Sequence, residues 1–366
     1  MNATDKPYRF HAFEVSLFSA KVRPALRYKQ LYYEEVRADI SEILKLTGLA
    51  FIPIVLTPEG DVWQDTSEIL DRLEARHPNP PLYPETPLQR MVCALVEIYS
   101  DEFAVTPAMH TRWGTEDSER NTRARFGAMM GSAKAGHRAA DQMVKGRYAV
   151  GATPEAGPAI EEHLTDLLAA LSTHFDSHDF LLGERMSLAD CALMGPVFGH
   201  FFTDIASRTM LHETALPVIR WIEYCNVPTT DSQGQWFRAD GMPESLFDVL
   251  KVMGRDAVPA ILSAIRAVEE HADEHGGAGV VPPRQVGLAV SDLRGTKLTR
   301  VAQTYSLWML QRVHDCYVAL SDGDRGRVDD ALVGSGWEPL LAYRPRHRVE
   351  KKDFALVFEG ESNRSD

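Results

Sequence analysis

Tyr8-Arg9-Phe10-His11-Ala12-Phe13-Glu14-Val15-Ser16-Leu17-Phe18-Ser19-Ala20-Lys21-Val22-Arg23-Pro24-Ala25-Leu26 reads as a short apolar strand, a turn carrying Ser16, and a helix. Working outward, Glu34 to Ala38 suits a second strand. Phe51-Ile52-Pro53-Ile54-Val55-Leu56 and Val62-Trp63-Gln64 flank the turn Pro58-Glu59-Gly60-Asp61, a pattern that predicts an antiparallel hairpin. A second helix start follows at Asp65-Thr66-Ser67-Glu68-Ile69-Leu70. Pro24 lies inside the first helical pattern, where it removes one backbone bond and bends the helix. Alternating strand and helix signals over residues 8 to 78 define a small α/β unit.

Three kinds of polar equipment mark the edge of that unit. Ser16 is a hydroxyl at a helix start, Pro53 opens a strand, and Asp65 and Thr66 are an acid and a hydroxyl at another helix start. Such a set suits holding a peptide thiol and favouring its thiolate. Each residue also has a plain structural role. Ser16 is a good helix cap, Pro53 is acceptable as an ordinary strand-start proline, and Asp65 to Glu68 fits an acidic capping box.

The run His77-Pro78-Asn79-Pro80-Pro81-Leu82-Tyr83-Pro84 ends the α/β unit as a linker. Beyond it the pattern is helical: Leu164, Leu167, Leu168, Leu171 and Phe175 form one apolar face. Met186-Ser187-Leu188-Ala189-Asp190-Cys191 reads as a capping box with a hydrophobic staple, a folding signal rather than a catalytic one. The polar stretch Thr229-Thr230-Asp231-Ser232-Gln233-Gly234 suggests a second boundary. After it, Leu246, Val249, Leu250 and Met253 keep helical spacing, as do Val301, Tyr305, Met309, Val313 and Leu320. The loop His275-Gly276-Gly277-Ala278-Gly279 follows no strand and is a poor phosphate cradle. Leu340-Leu341-Ala342-Tyr343 and Phe354 to Phe358 are expected to pair as strands around the solvated basic turn Arg344 to Arg348.

A chain of 366 residues exceeds one ordinary core, and 44% hydrophobic with 25% charged residues is globular. A net charge of −13 argues against general affinity for nucleic acid or an anionic membrane. No apolar run approaches the roughly 20 residues that span a bilayer, and the first residues lack a secretory core. Cys93, Cys191, Cys225 and Cys316 are scattered without metal-type spacing, as expected of buried free thiols in a reducing cytoplasm; no metal site is expected.

Taken in order, Ser16 to Arg23, Ile52-Pro53, Asp65 to Ile69 and Ser187 to Asp190 resemble the glutathione S-transferase family over residues 8 to 228, in its serine- and cysteine-type, bacterial-like form. The resemblance implies a thioredoxin-like α/β domain over residues 1–84 and an all-α domain over 85–230, joined by a mostly helical C-terminal extension over 231–366 that has no family counterpart. It implies an enzyme transferring alkyl or aryl groups, with glutathione as co-substrate and a small hydrophobic electrophile as second substrate. Ser16 is then the catalytic hydroxyl donating to the glutathione sulfur, with Ser19, one turn on, either a helix cap or a donor supporting Ser16 from behind. Lowering a thiol pKa by about two units takes roughly 2.7 kcal/mol of preference for the thiolate. A charge-assisted hydrogen bond and a helix dipole together supply energy of that order. The resemblance implies a cis Ile52–Pro53 bond that presents Ile52 to the cysteinyl backbone, and a γ-glutamyl site at Asp65 and Thr66.

One departure concerns the far end of that site. Where family members often carry a lysine for the glycyl carboxylate, Leu46-Thr47-Gly48-Leu49-Ala50-Phe51 has no cation, and Lys45 lies slightly upstream. Phe13, Phe18, Tyr99, Met109, His110 and Trp113 are expected to wall the second-substrate cleft, with His110 and Arg112 together offering an acid or an anion clamp. The same residues also suit helix core. The extension and the missing cation support an alternative, a non-catalytic glutathione-binding or protein-interaction module. A disulfide enzyme fits poorly, because Ser16 and Ser19 stand at the Cys-x-x-Cys spacing. The resemblance also implies a cytoplasmic homodimer.

Overall fold

In the computed structural model, which describes residues 6–228 and 233–359, strand β1 (Tyr8–Ala12) buries Tyr8, Phe10 and Ala12 and leads into helix α1 (Leu17–Tyr28). Strand β2 (Tyr33–Arg37) returns parallel to β1, and helix α2 (Ile40–Thr47) follows, capped by Asp39 and ended by Gly48 at φ 72°. Strands β3 (Ile54–Leu56) and β4 (Val62–Gln64) form the expected antiparallel hairpin, and the sheet order is β2-β1-β3-β4. Helix α3 (Thr66–Arg76) completes this thioredoxin-like unit, and Pro24 does lie inside α1.

The helical part comprises α4 (Pro87–Ile98), a π-helical turn over Tyr99–Phe103, α5 (Val105–Trp113), α6 (Glu116–Met129), α7 (Ala133–Ala149) and α8 (Gly157–Ser177). Leu164, Leu167, Leu168, Leu171 and Phe175 form the buried face of α8. After strand β5 (Gly183–Arg185) come α9 (Leu188–Pro196), a second π turn over Val197–Phe202, α10 (Ile205–Thr214) and α11 (Leu216–Asn226). The capping box at the start of α9 is present. Buried Asp190 also accepts from Leu181 N–H and Trp221 Nε1–H, each at 2.9 Å, so one carboxylate ties three segments together.

Of the boundary expected over 229–234, residues 229–232 lie outside the described residues, and 233 and 234 open a strand. The extension then adds β6 (Gln233–Trp236) beside β5, and the long helix α12 (Glu244–His275) follows. Next is a hairpin of β7 (Gln285–Leu293) and β8 (Thr296–Gln303), which the sequence reading missed. Val301 therefore belongs to a strand and not to the helical face assigned to it. Its spacing with Tyr305 is helical by coincidence, because α13 (Tyr305–Val318) begins two residues after the strand ends. Helices α14 (Asp322–Leu332) and α15 (Glu338–Ala342) follow. Leu340 to Ala342 are thus helical rather than extended, with Pro339 in the first turn, where its missing N–H costs nothing. The strand partner of β10 (Ala355–Phe358) is instead β9 (Val349–Lys352), across a turn at Asp353 and Phe354.

One continuous apolar cluster runs from Phe10 and Val22 through Leu167 and Trp221 to Val249, Leu310 and Trp337. Each fully buried Leu, Phe or Val contributes about 1.5–3 kcal/mol, so the extension is packed into the same core as the rest of the chain. Among the described residues no helix is long and apolar enough to cross a membrane. Cys93, Cys191 and Cys225 are buried free thiols, and Cys316 is half-buried.

Candidate active site

Strand register gathers the polar motifs. His11 of β1 pairs with Ile54 of β3, which pairs with Gln64 of β4. The loop after β1, the residue before β3 and the residue after β4 therefore share one end of the sheet, which brings Ser16, Pro53 and Asp65 to a common edge. The Ile52–Pro53 bond is cis, as is Asn79–Pro80 in the linker. Gln64 pins the loop before Pro53, donating from Nε2 to the Phe51 carbonyl at 2.9 Å and to Thr47 Oγ1 at 3.3 Å.

Ser16 is half-buried and caps α1, its Oγ accepting from Ser19 N–H at 3.2 Å. Accepting this bond leaves the hydroxyl proton free to donate to another group. The first turn of α1 holds no acidic residue, so the positive end of the helix is not neutralised there. Ser19 is fully buried and its Oγ accepts from Phe13 N–H at 3.3 Å, which places it behind the loop as a brace. The small residues Gly195 and Gly199 press on this corner, and a Cβ on Gly199 would come within 2.9 Å of Leu17 Cα.

Asp65 caps α3 from an unusual backbone conformation, φ 79°, a region that favours glycine and costs a non-glycine residue about 1–3 kcal/mol. Its Oδ1 accepts from Ser67 N–H at 3.0 Å and Glu68 N–H at 3.2 Å. Its Oδ2 is taken by the extension: the Tyr305 hydroxyl donates to it at 2.6 Å, and Lys351 Nζ lies 2.9 Å away. Burial alone raises the Asp65 carboxyl, but the Lys351 ammonium and the Tyr305 hydroxyl outweigh that and hold it below the usual range. Lys351 also lies over the rings of Tyr305 and Trp308, at 5.4 and 5.0 Å from their centroids. Thr66 is buried beside this cluster.

Behind the α3 start lies a buried ionic network. Lys21 of α1 is fully buried and donates to Asp101 Oδ2 at 2.6 Å, Glu97 Oε1 at 2.9 Å and Ser67 Oγ at 3.1 Å. Burial opposes the Lys21 charge, yet Asp101 and Glu97 reverse that and raise its pKa. Burial likewise lifts Asp101, with Lys21 opposing and Glu97 adding to the rise. Arg312 of α13 joins from the extension, pairing with Asp71 at 2.7 Å and with Glu97 at 3.3 Å. Ser306 donates to buried Glu102. Residues 46–51 carry no cation of their own; the Arg284 guanidinium of the extension stacks 3.7 Å from the Phe51 ring centroid.

The residues expected around the second-substrate cleft are dispersed. Phe18 is 37% exposed. Tyr99 is fully buried, and its hydroxyl pairs with His163 Nε2 at 2.8 Å. Met109 and Trp113 belong to a separate apolar cluster with Val15 and Phe126. His110 Nε2 lies 3.0 Å from Glu161 of α8. Arg112 is 2% exposed, and Asp204, the Gly199 and Val15 carbonyls and the Thr203 hydroxyl occupy its fork, so it braces the Ser16 loop instead of facing a ligand. Trp308, Lys351 and Arg284 carry no signal in the sequence, and Tyr305 reads there only as part of a helical face. They lie more than 200 positions from the motifs they meet and carry no motif of their own. Among the described residues no group of three or more His, Cys, Asp or Glu is placed to hold a metal.

Residues 10–81 match the sequence model of the glutathione S-transferase N-terminal domain, and residues 151–225 that of the glutathione S-transferase C-terminal domain. The chain thus carries both domains of the glutathione S-transferase family and continues well beyond them. Among solved structures it is similar to a glutathione S-transferase from Rhodospirillum rubrum F11, at 17% identity over 66% of this chain and 99% of that one, TM-score 0.41. A glutathione S-transferase from Methylobacterium radiotolerans, complexed with glutathione sulfonate, is 20% identical over 65% of this chain and all of that one, TM-score 0.39. The beta-etherase LigF from Sphingobium sp. strain SYK-6 is 17% identical over 62% of this chain and 98% of that one, TM-score 0.42. No curated protein matches the chain.

Proposed function

We propose that the end of the sheet bounded by Ser16, Ile52-Pro53 and Asp65-Thr66 binds glutathione or a close peptide thiol and activates it for attack on a small hydrophobic electrophile. The observation that carries this reading is Ser16. Its half-buried hydroxyl caps α1 by accepting a bond, has a proton left to donate, and stands at a helix start free of acidic residues. A sulfur placed there receives one hydrogen bond and the helix field, and both favour its anion. Holding thiolate and electrophile together supplies further acceleration through proximity. Phe18, the exposed apolar residue beside Ser16, is the cleft residue this reading retains at the electrophile. Purified protein with glutathione and a panel of aryl and alkyl electrophiles tests the reading. Turnover above background that Ser16→Ala lowers by roughly 10- to 100-fold supports it, and absence of turnover with every electrophile defeats it. Sedimentation of the same preparation tests the homodimer that belongs to this reading.

A second reading, a peptide-thiol binder without turnover, is favoured by one observation: Asp65 already has Tyr305 and Lys351 as partners. Calorimetric binding of glutathione without conjugation of any electrophile would establish it.

A further inference from the structure

Arg284, in the segment before β7, is a guanidinium without a counter-ion. Its one side-chain hydrogen bond runs from Nε to Gln303 Oε1 at 3.5 Å, the outer limit of such a bond. Among the described residues no carboxylate lies within ion-pair distance of it, whereas Arg255, Arg294, Arg312 and Arg348 of the same extension each meet an acid. Partial burial lowers its pKa, and no acid opposes the shift. The residue still reaches solvent.

Its place is fixed from two sides. In front, the guanidinium lies 3.7 Å from the Phe51 ring centroid. Behind, the Arg284 carbonyl accepts from Thr304 N–H at 3.1 Å, and the Pro283 carbonyl accepts from the Thr304 hydroxyl at 2.8 Å. Thr304 precedes Tyr305, whose hydroxyl donates to Asp65 at 2.6 Å. One junction of the extension thus delivers a hydroxyl to the Asp65 end of the sheet edge and a guanidinium to the Phe51 end. Phe51 immediately precedes Ile52-Pro53, in the loop that has no cation of its own. A planar guanidinium with Nη1 and Nη2 unpaired suits a carboxylate held by two parallel hydrogen bonds. Stacking on the ring already restricts the side chain, so less freedom is lost when an anion binds.

We infer that Arg284 is a binding residue for the carboxylate at the C-terminal end of a peptide thiol, supplied by the extension to a first domain that lacks a cation there. This rests on the peptide-thiol reading above and deepens it: the ligand runs from Asp65 past Ile52 to Arg284 and is acidic at the end remote from the γ-glutamyl group.

Calorimetric titration of the full chain with glutathione and with its glycyl carboxamide, which keeps the thiol and the γ-glutamyl end, tests the inference. Wild-type protein is expected to bind glutathione roughly 10-fold more tightly than the amide, the effect of one hydrogen-bonded charge pair. Arg284→Gln is expected to equalise the two affinities by weakening glutathione alone. Arg284→Lys keeps the charge without the fork; it is expected to retain part of the preference, and it serves if the first variant does not fold. Lys45→Gln, at the rival cation near the end of α2, is expected to keep the wild-type ratio. Equal binding of both thiols by the wild type, an equal loss of both in Arg284→Gln, or a preference that disappears in Lys45→Gln instead overturns the inference and leaves the peptide-thiol reading intact. Binding of neither thiol by the wild type overturns both.

Discussion

Arg112 Nη1 donates to the Val15 carbonyl at 2.8 Å, so a buried guanidinium in α5 holds the residue immediately before Ser16. The same fork bonds Asp204 through Nε at 3.0 and 3.1 Å and reaches the carbonyl of Gly199, whose lack of a side chain lets the second π turn lie against Leu17. The Ser16 corner is therefore positioned from behind by the helical domain. Arg112→Met leaves Asp204 buried without its partner, and losses of about 3–5 kcal/mol follow from such deletions. Denaturant unfolding is expected to show a loss of that order. Arg112→Lys, which keeps the charge but not the fork, is expected to recover part of it. Equal stability of the Met and Lys variants would contradict the positioning role.

Ser16→Ala removes the hydroxyl and leaves the α1 backbone in place. A hydrogen bond to a charged acceptor contributes about 1.5–3 kcal/mol, so kcat/KM for conjugation is expected to fall by roughly 10- to 100-fold, with glutathione affinity changed far less. The bound thiol, followed by thiolate absorbance against pH, is expected to titrate closer to its free value in the variant. An unchanged titration with unchanged turnover would remove Ser16 from the chemistry and leave it as a cap.

Lys21 is the positive centre of the buried network, with Glu97, Asp101 and Ser67 all within 3.1 Å. Lys21→Met has a similar stem length but strands buried Asp101 and leaves Glu97 with Arg312 as its remaining cation. A loss of about 3–5 kcal/mol is expected, read as a lowered midpoint in urea at neutral pH. Combining it with Glu97→Gln and Asp101→Asn is expected to restore much of the loss, because the charges are then removed together. A triple variant no more stable than Lys21→Met would show that the network is not coupled in this way.

Local signals made the first domain legible. The capping hydroxyl of Ser16, the turn at Pro58 to Asp61 and the acid at Asp65 each act within a few residues, and the structure places all of them at the ends of the elements they punctuate. The helical face from Leu164 to Phe175 was equally visible, because its period is set by α8 alone. The β7–β8 hairpin was hidden by its turn: Arg294 and Gly295 take φ 52° and 81°, a two-residue connection usually marked by Asn-Gly or Asp-Gly. The partners of Asp65 were hidden for another reason. Tyr305 is 240 positions away in sequence, and no periodicity within α13 reveals which distant carboxylate its hydroxyl will meet. Tyr99 and Trp113 show the converse limit: an aromatic residue on an amphipathic helix reads the same whether it faces a cleft or, as here, the core.

His174 gives the fold a pH dependence of definite sign. It is fully buried in α8, with Nδ1 2.9 Å from Ser245 Oγ and Nε2 3.1 Å from the Leu181 carbonyl, so the neutral ring joins α8, the segment before β5 and the start of α12. Burial, helped by nearby His178, lowers its pKa to about 4. An unfolded chain takes up the proton near pH 6.5, whereas the folded chain resists it until about pH 4. Between those values the unfolded state binds more protons, and stability falls as the pH falls. The contribution is complete above about pH 6.5 and declines by about 1.4 kcal/mol per pH unit below it, reaching roughly 3 kcal/mol by pH 4. Urea unfolding of wild type and His174→Gln across this range isolates the effect from other titrating groups. The stability difference between the two is expected to shrink steadily from pH 7 to pH 4.5, and a difference constant across that interval would show that His174 is protonated as readily in the folded chain as in the unfolded one.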